Sequence, residues 1–155
     1  MAAVHTPISI DLPDEAATAA LAARLGAALR RGDMVALRGG LGAGKTAFAR
    51  ALIRSRTGPG EEVPSPTFTL VQTYDSDPPL WHFDLYRLSG PDEVTELGWE
   101  EALADGCALV EWPERLGPLL PADRFDIELT VTGPTARRAV VSGHGRCAAR
   151  LEGFP

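Results

Sequence analysis

The stretch Gly39-Gly40-Leu41-Gly42-Ala43-Gly44-Lys45-Thr46 limits what this chain can become more than any other. It fits G-x-x-x-x-G-K-[ST], and its flanks are the ones that pattern needs. Met34-Val35-Ala36-Leu37 precedes it as a short apolar run, which reads as a buried strand. Ala47 to Arg54 follows it and reads as a helix, with Phe48, Ala51 and Leu52 on one face. Glycines in such a loop let the backbone curl until several N–H groups converge on phosphate oxygens. The helix start adds its partial positive charge at the same point. Lys45 is then placed to reach the β and γ phosphates, and the Thr46 hydroxyl to ligate Mg²⁺. The plainer reading, a glycine-rich turn followed by an ordinary lysine, does not account for the strand before it and the helix after it. Lys45 is also the only lysine in the chain, every other basic side chain being an arginine. A point charge has been kept where a planar guanidinium fork would not fit.

The bulk composition narrows the partners. At 155 residues the chain is expected to be a single domain, residues 1–155, large enough for a proper core. A net charge of −6 argues against a free-standing nucleic-acid binder, which carries a basic face. Cys107 and Cys147 match no metal spacing, and Cys107 opens an apolar run, so it reads as a small buried hydrophobe. No stretch approaches the length of a membrane span and the N-terminus lacks the charged-then-apolar form of a signal peptide, so a cytoplasmic protein with no membrane partner is expected.

Taken in order, Thr6 to Ile10 reads as a first strand. Pro13-Asp14-Glu15 then starts a helix that carries Leu21, Leu25 and Leu29 on one face and closes at Arg30-Arg31-Gly32. After the glycine loop and its helix, Thr57 to Gly60 ends that helix and Glu61 to Pro66 forms a proline-broken loop. Thr67 to Tyr74 and Leu80 to Arg87 both alternate with period two and read as an antiparallel hairpin about the turn Asp75 to Pro79. Pro91-Asp92-Glu93 starts a short helix, and a second covers Trp99 to Ala104. Cys107 to Val110 is a continuous apolar run, hence a buried parallel strand, and it ends in Glu111. Pro113 to Leu116 reads as a turn of helix, Arg124 to Val131 and Arg137 to Ser142 as a second hairpin, and the last residues as a further pairing or a frayed end. These elements predict an α/β fold: a P-loop NTPase-like three-layer sandwich whose mixed central sheet has a parallel core and antiparallel hairpins.

A phosphate loop of this kind needs a further acid to hold Mg²⁺ or to orient an attacking water. Glu111, at the end of a hydrophobic strand, stands where a Walker B acid stands; the alternative is an exposed strand-end carboxylate. Asp84, between Phe83 and Leu85, either faces the site or lies on a solvent face. In Ser65-Pro66-Thr67 a hydroxyl could sense metal and γ-phosphate, or the segment could be a proline-stiffened turn. His82 shares a strand face with Asp84 and is expected to be structural, while Trp112 either covers the site or a partner surface or is a core tryptophan.

Four segments together resemble the TsaE family, formerly YjeE. They are Gly-Leu-Gly-Ala-Gly-Lys-Thr (40–46), Ser-Pro-Thr-Phe-Thr-Leu-Val (65–71), His-Phe-Asp-Leu-Tyr-Arg-Leu (82–88) and Val-Glu-Trp-Pro-Glu (110–114). Their order and spacing cover most of the chain. The family commonly has Gly-Asp before the loop, where this chain has Gly39-Gly40; the change touches the loop's shape and no ligating group. The resemblance implies a small bacterial P-loop ATPase required for forming N6-threonylcarbamoyladenosine at position 37 of tRNAs that read codons beginning with A. It implies that Leu41, Gly42, Ala43, Gly44, Lys45 and Thr46 bind ATP and that Thr46 and Glu111 hold Mg²⁺. Catalytic or switch roles then fall to Asp84 and Thr67 beside Lys45 and Glu111. It also implies TsaD and TsaB as partners, reset by ATP hydrolysis, with tRNA met only through that complex.

Other readings compete. Small P-loop proteins include small-molecule kinases, which need an acceptor pocket and an arginine-bearing lid; here a hairpin follows the loop helix instead. A GTPase switch reads guanine through Asn-Lys-x-Asp, which is impossible in a chain with no asparagine and its one lysine in the glycine loop. A nucleic-acid-handling ATPase is disfavoured by the acidic balance.

Overall fold

Met34, Val35, Ala36 and Leu37 are all fully buried, because strand β2 (Met34–Arg38) runs through the middle of the sheet with both faces covered. The computed structural model describes residues 7–154. The remaining strands are β1 (Ile8–Leu12), β3 (Val71–Tyr74), β4 (Leu80–Asp84), β5 (Cys107–Glu111), β6 (Arg124–Val131) and β7 (Arg137–His144). The helices are α1 (Glu15–Ala28), α2 (Lys45–Thr57), α3 (Asp92–Glu96) and α4 (Trp99–Asp105). Seven strands form one sheet in the order β1-β7-β6-β2-β5-β4-β3. The four strands β6, β2, β5 and β4 are mutually parallel, and the hairpins β3–β4 and β6–β7, with β1 added at one edge, supply the antiparallel pairs.

Alternation along the central strands divides the interior in two. Val35, Leu37, Leu109 and Ile127 join Leu21 and Leu25 of α1 and Phe48 and Leu52 of α2 on one face. Met34, Ala36, Val110 and Phe83 join Val94 of α3 and Trp99 and Ala102 of α4 on the other. The result is the expected mixed-sheet α/β sandwich of three layers. Asp14 caps α1 by accepting from the Ala17 amide at 2.8 Å, as the Pro-Asp-Glu start signal requires.

Three expectations need correction. Residues 67–70 are not strand. The Leu70 amide donates to the Pro66 carbonyl at 2.7 Å and Leu70 sits at φ 69°, so the chain curls before β3 begins at Val71. Pro64 and Pro66 lack the donors a ladder needs, and the Thr-Phe-Thr-Leu alternation arises from a turn. Strand β4 stops at Asp84 rather than Arg87, since the Asp84 carboxylate accepts from the Tyr86 amide at 3.1 Å and turns the chain. Beyond Ser142 strand β7 runs on to His144, and Gly145–Leu151 then makes 3-10 turns that bury Cys147, Ala148 and Leu151 instead of pairing again or fraying. Helix α2 begins at Lys45, two residues before the apolar periodicity shows it. The proposed start of the first strand, Thr6, lies outside the described residues.

The C-terminal turns are held by one buried charge. Asp33, fully buried ahead of β2, accepts from the Arg30 amide at 2.6 Å, from both Arg150 Nη atoms (the Nη2–Oδ1 bond is 2.9 Å) and from Arg146 at 3.3 Å. Both cysteines are free and buried beside it. Burial first, and the Asp33 charge second, push the Cys107 thiol up to about 11 and the Cys147 thiol up to about 12, as suits inert packing groups. Removing a partner from a buried ion pair costs about 3–5 kcal/mol, against about 0–1 kcal/mol for an exposed one. Arg150→Ala is therefore expected to lower the unfolding free energy in urea by about 3–5 kcal/mol. Arg31→Ala, which loses only the solvent-exposed contact to Asp77 at 4.0 Å, should cost about 0.5 kcal/mol or less.

Candidate functional site

The glycine loop leaves β2 and enters α2 by a path only glycine follows easily. Gly39, Gly42 and Gly44 have φ of 143°, 77° and 104°. A Cβ on Gly39 would come within 2.7 Å of the Leu129 carbonyl oxygen, so space as well as dihedral excludes a side chain there. Gly44 stands at the N-cap of α2 and no side chain caps the helix, which leaves its first amides to serve an anion. Leu41 projects from the loop tip, 75% exposed.

Lys45 folds back over this loop. Its Nζ donates to the carbonyls of Gly39 at 2.5 Å and Gly40 at 2.9 Å, and it lies 3.8 Å from the centre of the Trp112 ring. Burial pulls the Lys45 ammonium below its ordinary value, while the charges of Glu111, Glu114 and Asp84 oppose that shift.

Both candidate acids face this cleft and both are buried. Asp84 and Glu111 are register partners at the ends of the adjacent parallel strands β4 and β5, and Glu111 is in turn paired with Leu37 of β2. The Thr46 hydroxyl donates to Glu111 across Oε1 at 2.8 Å and Oε2 at 3.0 Å. His82 Nε2 meets Glu111 Oε2 at 2.8 Å, so this histidine touches the cleft's acid rather than serving the core alone. Thr67 reaches Asp84 Oδ2 at 3.3 Å and shares a 2.7 Å bond with Ser65. A cavity of about 400 Å³ is lined by Leu41 to Ala47, Ser65, Thr67, Asp84, Glu111 and Trp112, together with Tyr86 and Arg87. Every residue singled out from the sequence for phosphate, metal or catalytic work thus lies on one cleft. Arg87 and Arg115 follow the two acids closely in sequence, and of these Arg87 lines the cavity, with its guanidinium 4.6 Å above the Phe68 ring. Arg115 is not among the lining residues, and its side chain donates to the Leu88 carbonyl at 3.5 Å.

The donor set suits Mg²⁺. Thr46 and Glu111 present hard oxygen atoms side by side at a helix N-terminus, and Mg²⁺ takes one or two protein oxygens and completes its shell with waters and phosphate. A thiolate or imidazole set would have favoured another metal.

Trp112 sits at φ 59° directly after Glu111, and that strained backbone lays its ring across Lys45 and 4.9 Å from the Tyr86 ring. One residue that matters to the loop was not visible in the sequence. Arg137, the first residue of β7, donates to the Ala43 carbonyl at 2.9 Å and to the carbonyls of Ala136 at 2.8 Å and Gly133 at 3.3 Å. It ties the glycine loop to the β6–β7 turn, a contact 94 residues long in sequence that no local spacing announces. A second cavity of about 640 Å³ opens on this side, between the alanines of α1 and α2 and the turn at Pro134-Thr135, and it shares Ala43, Gly44 and Ala47 with the first.

Comparison with known proteins bears on the family and the fold. The family model described as "Threonylcarbamoyl adenosine biosynthesis protein TsaE" matches residues 12–140. The chain belongs to the TsaE family. A tRNA threonylcarbamoyladenosine biosynthesis protein TsaE from Rickettsia felis is 42% identical over 127 residues, covering 81% of this chain and 74% of that protein. The protein of the same description from Streptomyces coelicolor is 41% identical over 133 residues, covering 81% and 89%. The crystal structure of YdiB from Bacillus subtilis superposes with a TM-score of 0.73 at 30% identity, covering 94% of this chain and 91% of that one. In this TsaE chain the family match takes in the glycine loop, both acids and Arg137.

Because Arg137 holds three carbonyls, its loss should loosen the loop more than the fold. Arg137→Ala is expected to cost about 1.5–3 kcal/mol in unfolding free energy. Hydrogen exchange should quicken most at the amides of residues 40–44 and least in β2 and β5.

Proposed function

We propose that this chain is a Mg²⁺-dependent ATPase that serves tRNA threonylcarbamoyladenosine biosynthesis in the cytoplasm. The observation that carries the reading is the convergence, in one cleft, of the uncapped start of α2, Lys45, the Thr46–Glu111 pair and a separate acid, Asp84. The β and γ phosphates would lie across the glycine loop, and Lys45 would trade its loop carbonyls for phosphate oxygens. Thr46 and Glu111 would hold Mg²⁺, which supplies charge neutralisation at the β and γ oxygens. Asp84, held by Thr67 and the Tyr86 amide, would accept from the attacking water and align it with the γ-phosphorus. The nucleoside would leave on the side away from the acids, into the larger cleft beside Ala43 and Ala47.

Among the described residues Arg87 is the one arginine lining this cavity, and its stack on Phe68 places it at the exposed rim, so transition-state charge would be met poorly by the isolated chain. Leu41, Phe68 and Tyr86 expose apolar surface around the mouth, at 75%, 80% and 42%. We assign that rim to the TsaD–TsaB complex, which would order the curled loop 65–70 and accelerate hydrolysis. Contact with tRNA would run through those partners, consistent with the net charge of −6. Among the described residues no helix is long and apolar enough to cross a membrane.

Three variants and one mixture test this. Lys45→Ala should weaken ADP and ATP binding about 10–100-fold while the protein stays folded, since it removes a charge-assisted contact to phosphate. Glu111→Gln should keep Mg²⁺-free nucleotide binding and lose hydrolysis. Asp84→Asn should slow single-turnover hydrolysis about 10²–10⁴-fold with little change in affinity. ATP hydrolysis by the isolated chain should be slow, should need no small-molecule acceptor and should rise on adding TsaD–TsaB. Turnover that requires an acceptor would make the protein a kinase instead. Unchanged ATP affinity in Lys45→Ala would sink the phosphate-loop reading altogether.

A further inference from the structure

His82 is the one buried titratable side chain at the cleft to which the proposed chemistry gives no work. It is fully buried on β4, on the α2 side of the sheet together with Leu80 and Asp84, while Trp81 and Phe83 turn to the opposite core. Its Nε2 lies 2.8 Å from Glu111 Oε2. A carboxylate can only accept, so the hydrogen of this bond belongs to Nε2. The other ring nitrogen, Nδ1, is buried and has no hydrogen-bond partner among the described residues. Burying a ring nitrogen without a partner is unfavourable, and an apolar side chain of similar size would fill the space without that cost. The single polar contact the ring makes is therefore the reason for a histidine at this position.

We infer that His82 is a positioning residue for the metal side of the site, donating from Nε2 to hold Glu111 in the geometry that receives Thr46. The inference rests on the ATPase reading above and deepens it. The two acids stand opposite each other at adjacent strand ends, yet each has its own donors. Glu111 is held by Thr46 and His82, and Asp84 by Thr67 and the Tyr86 amide. A glutamate has three rotatable bonds, and the one hydroxyl of Thr46, shared between both oxygens, leaves the carboxylate free to turn about that contact. With His82 as a second donor on Oε2, the carboxylate is set before metal or nucleotide arrives, and it is kept apart from Asp84. Outer partners of this type are worth about 10–100-fold in metal affinity. No change in protonation is needed for the role.

The first measurement uses the unmodified protein. Long-range nitrogen NMR on ¹⁵N-histidine-labelled protein should show His82 carrying hydrogen on Nε2; hydrogen on Nδ1 alone would overturn the inference. The second compares ADP affinity with and without Mg²⁺ in the parent, His82→Gln, His82→Asn and His82→Leu. The parent should gain affinity from Mg²⁺. His82→Leu and His82→Asn, which cannot reach Glu111 with a donor, should lose that gain about tenfold while Mg²⁺-free ADP binding is unchanged. His82→Gln, whose amide reaches about as far as Nε2, should recover most of it. If His82→Leu does not fold, the Asn and Gln pair decides, since both are polar and only one reaches. An undiminished Mg²⁺ gain in His82→Asn, or equal losses in Asn and Gln, would overturn the inference and leave the phosphate cleft intact. A parent that binds no ADP under either condition would instead sink the ATPase reading and this inference with it.

Discussion

Leu37 of β2 and Glu111 of β5 are register partners in the parallel core, and the site depends on that one pairing. It sets the end of β5 level with the point where β2 gives way to the glycine loop. Thr46, one residue into α2, then meets Glu111 by a direct hydrogen bond. A slip of one residue would turn Glu111 to the opposite face of the sheet and bring Val110 to the helix instead, because side chains alternate with a period of two. The burial of Val35, Leu37 and Leu109 against α1 and α2 forbids that slip, so the hydrophobic pattern that builds the core also fixes the geometry of the acid.

Buried polar groups in this protein serve two ends, and their surroundings separate them. Asp33 is surrounded by Arg150, Arg146 and the Arg30 amide, so that both its oxygens are bonded and the C-terminal turns are fastened to the start of β2. The cleft is the opposite case. Lys45 spends its donors on loop carbonyls and the Trp112 ring, Gly44 leaves α2 uncapped, and His82 keeps a bare nitrogen. Incomplete satisfaction of this sort is unfavourable for folding and is the condition under which a bound phosphate and cation can add contacts that the empty protein does not make.

The loops that complete the cleft are held by contacts far apart in the chain. Arg137 from β7 secures the glycine loop, and the curl at 66–70, closed between Pro66 and Leu70, brings Thr67 to Asp84. Phe68 is carried outward by the same curl, into the exposed apolar rim with Leu41 and Tyr86. One local bend therefore places a hydroxyl inside and an aromatic ring outside, which links the site's interior to the surface a partner would meet.

Much of this was legible in the chain itself. The glycine-lysine-threonine spacing, the apolar runs at 34–37 and 107–110 and the two alternating hairpins dictated a parallel-cored sheet with a phosphate loop, because local periodicity reports which faces are buried. Glu111 could be chosen for the same reason, since it ends an apolar strand beside that loop, whereas Asp84 read as mid-strand, facing either the site or solvent, until the turn after it set it at the strand end. What the residues could not reveal depends on long-range placement. Residues 67–70 alternate like a strand and are a turn, since prolines 64 and 66 and the positive φ of Leu70 override the pattern. Arg137 became a strap for the loop, and His82 a partner of Glu111, only when the sheet order set β7 and β4 in place. The C-terminal turns looked free to fray until Asp33 was buried against Arg150. Sequence determined which elements form and which faces they bury; the tertiary structure decided which polar groups meet, because their partners lie up to 127 positions away.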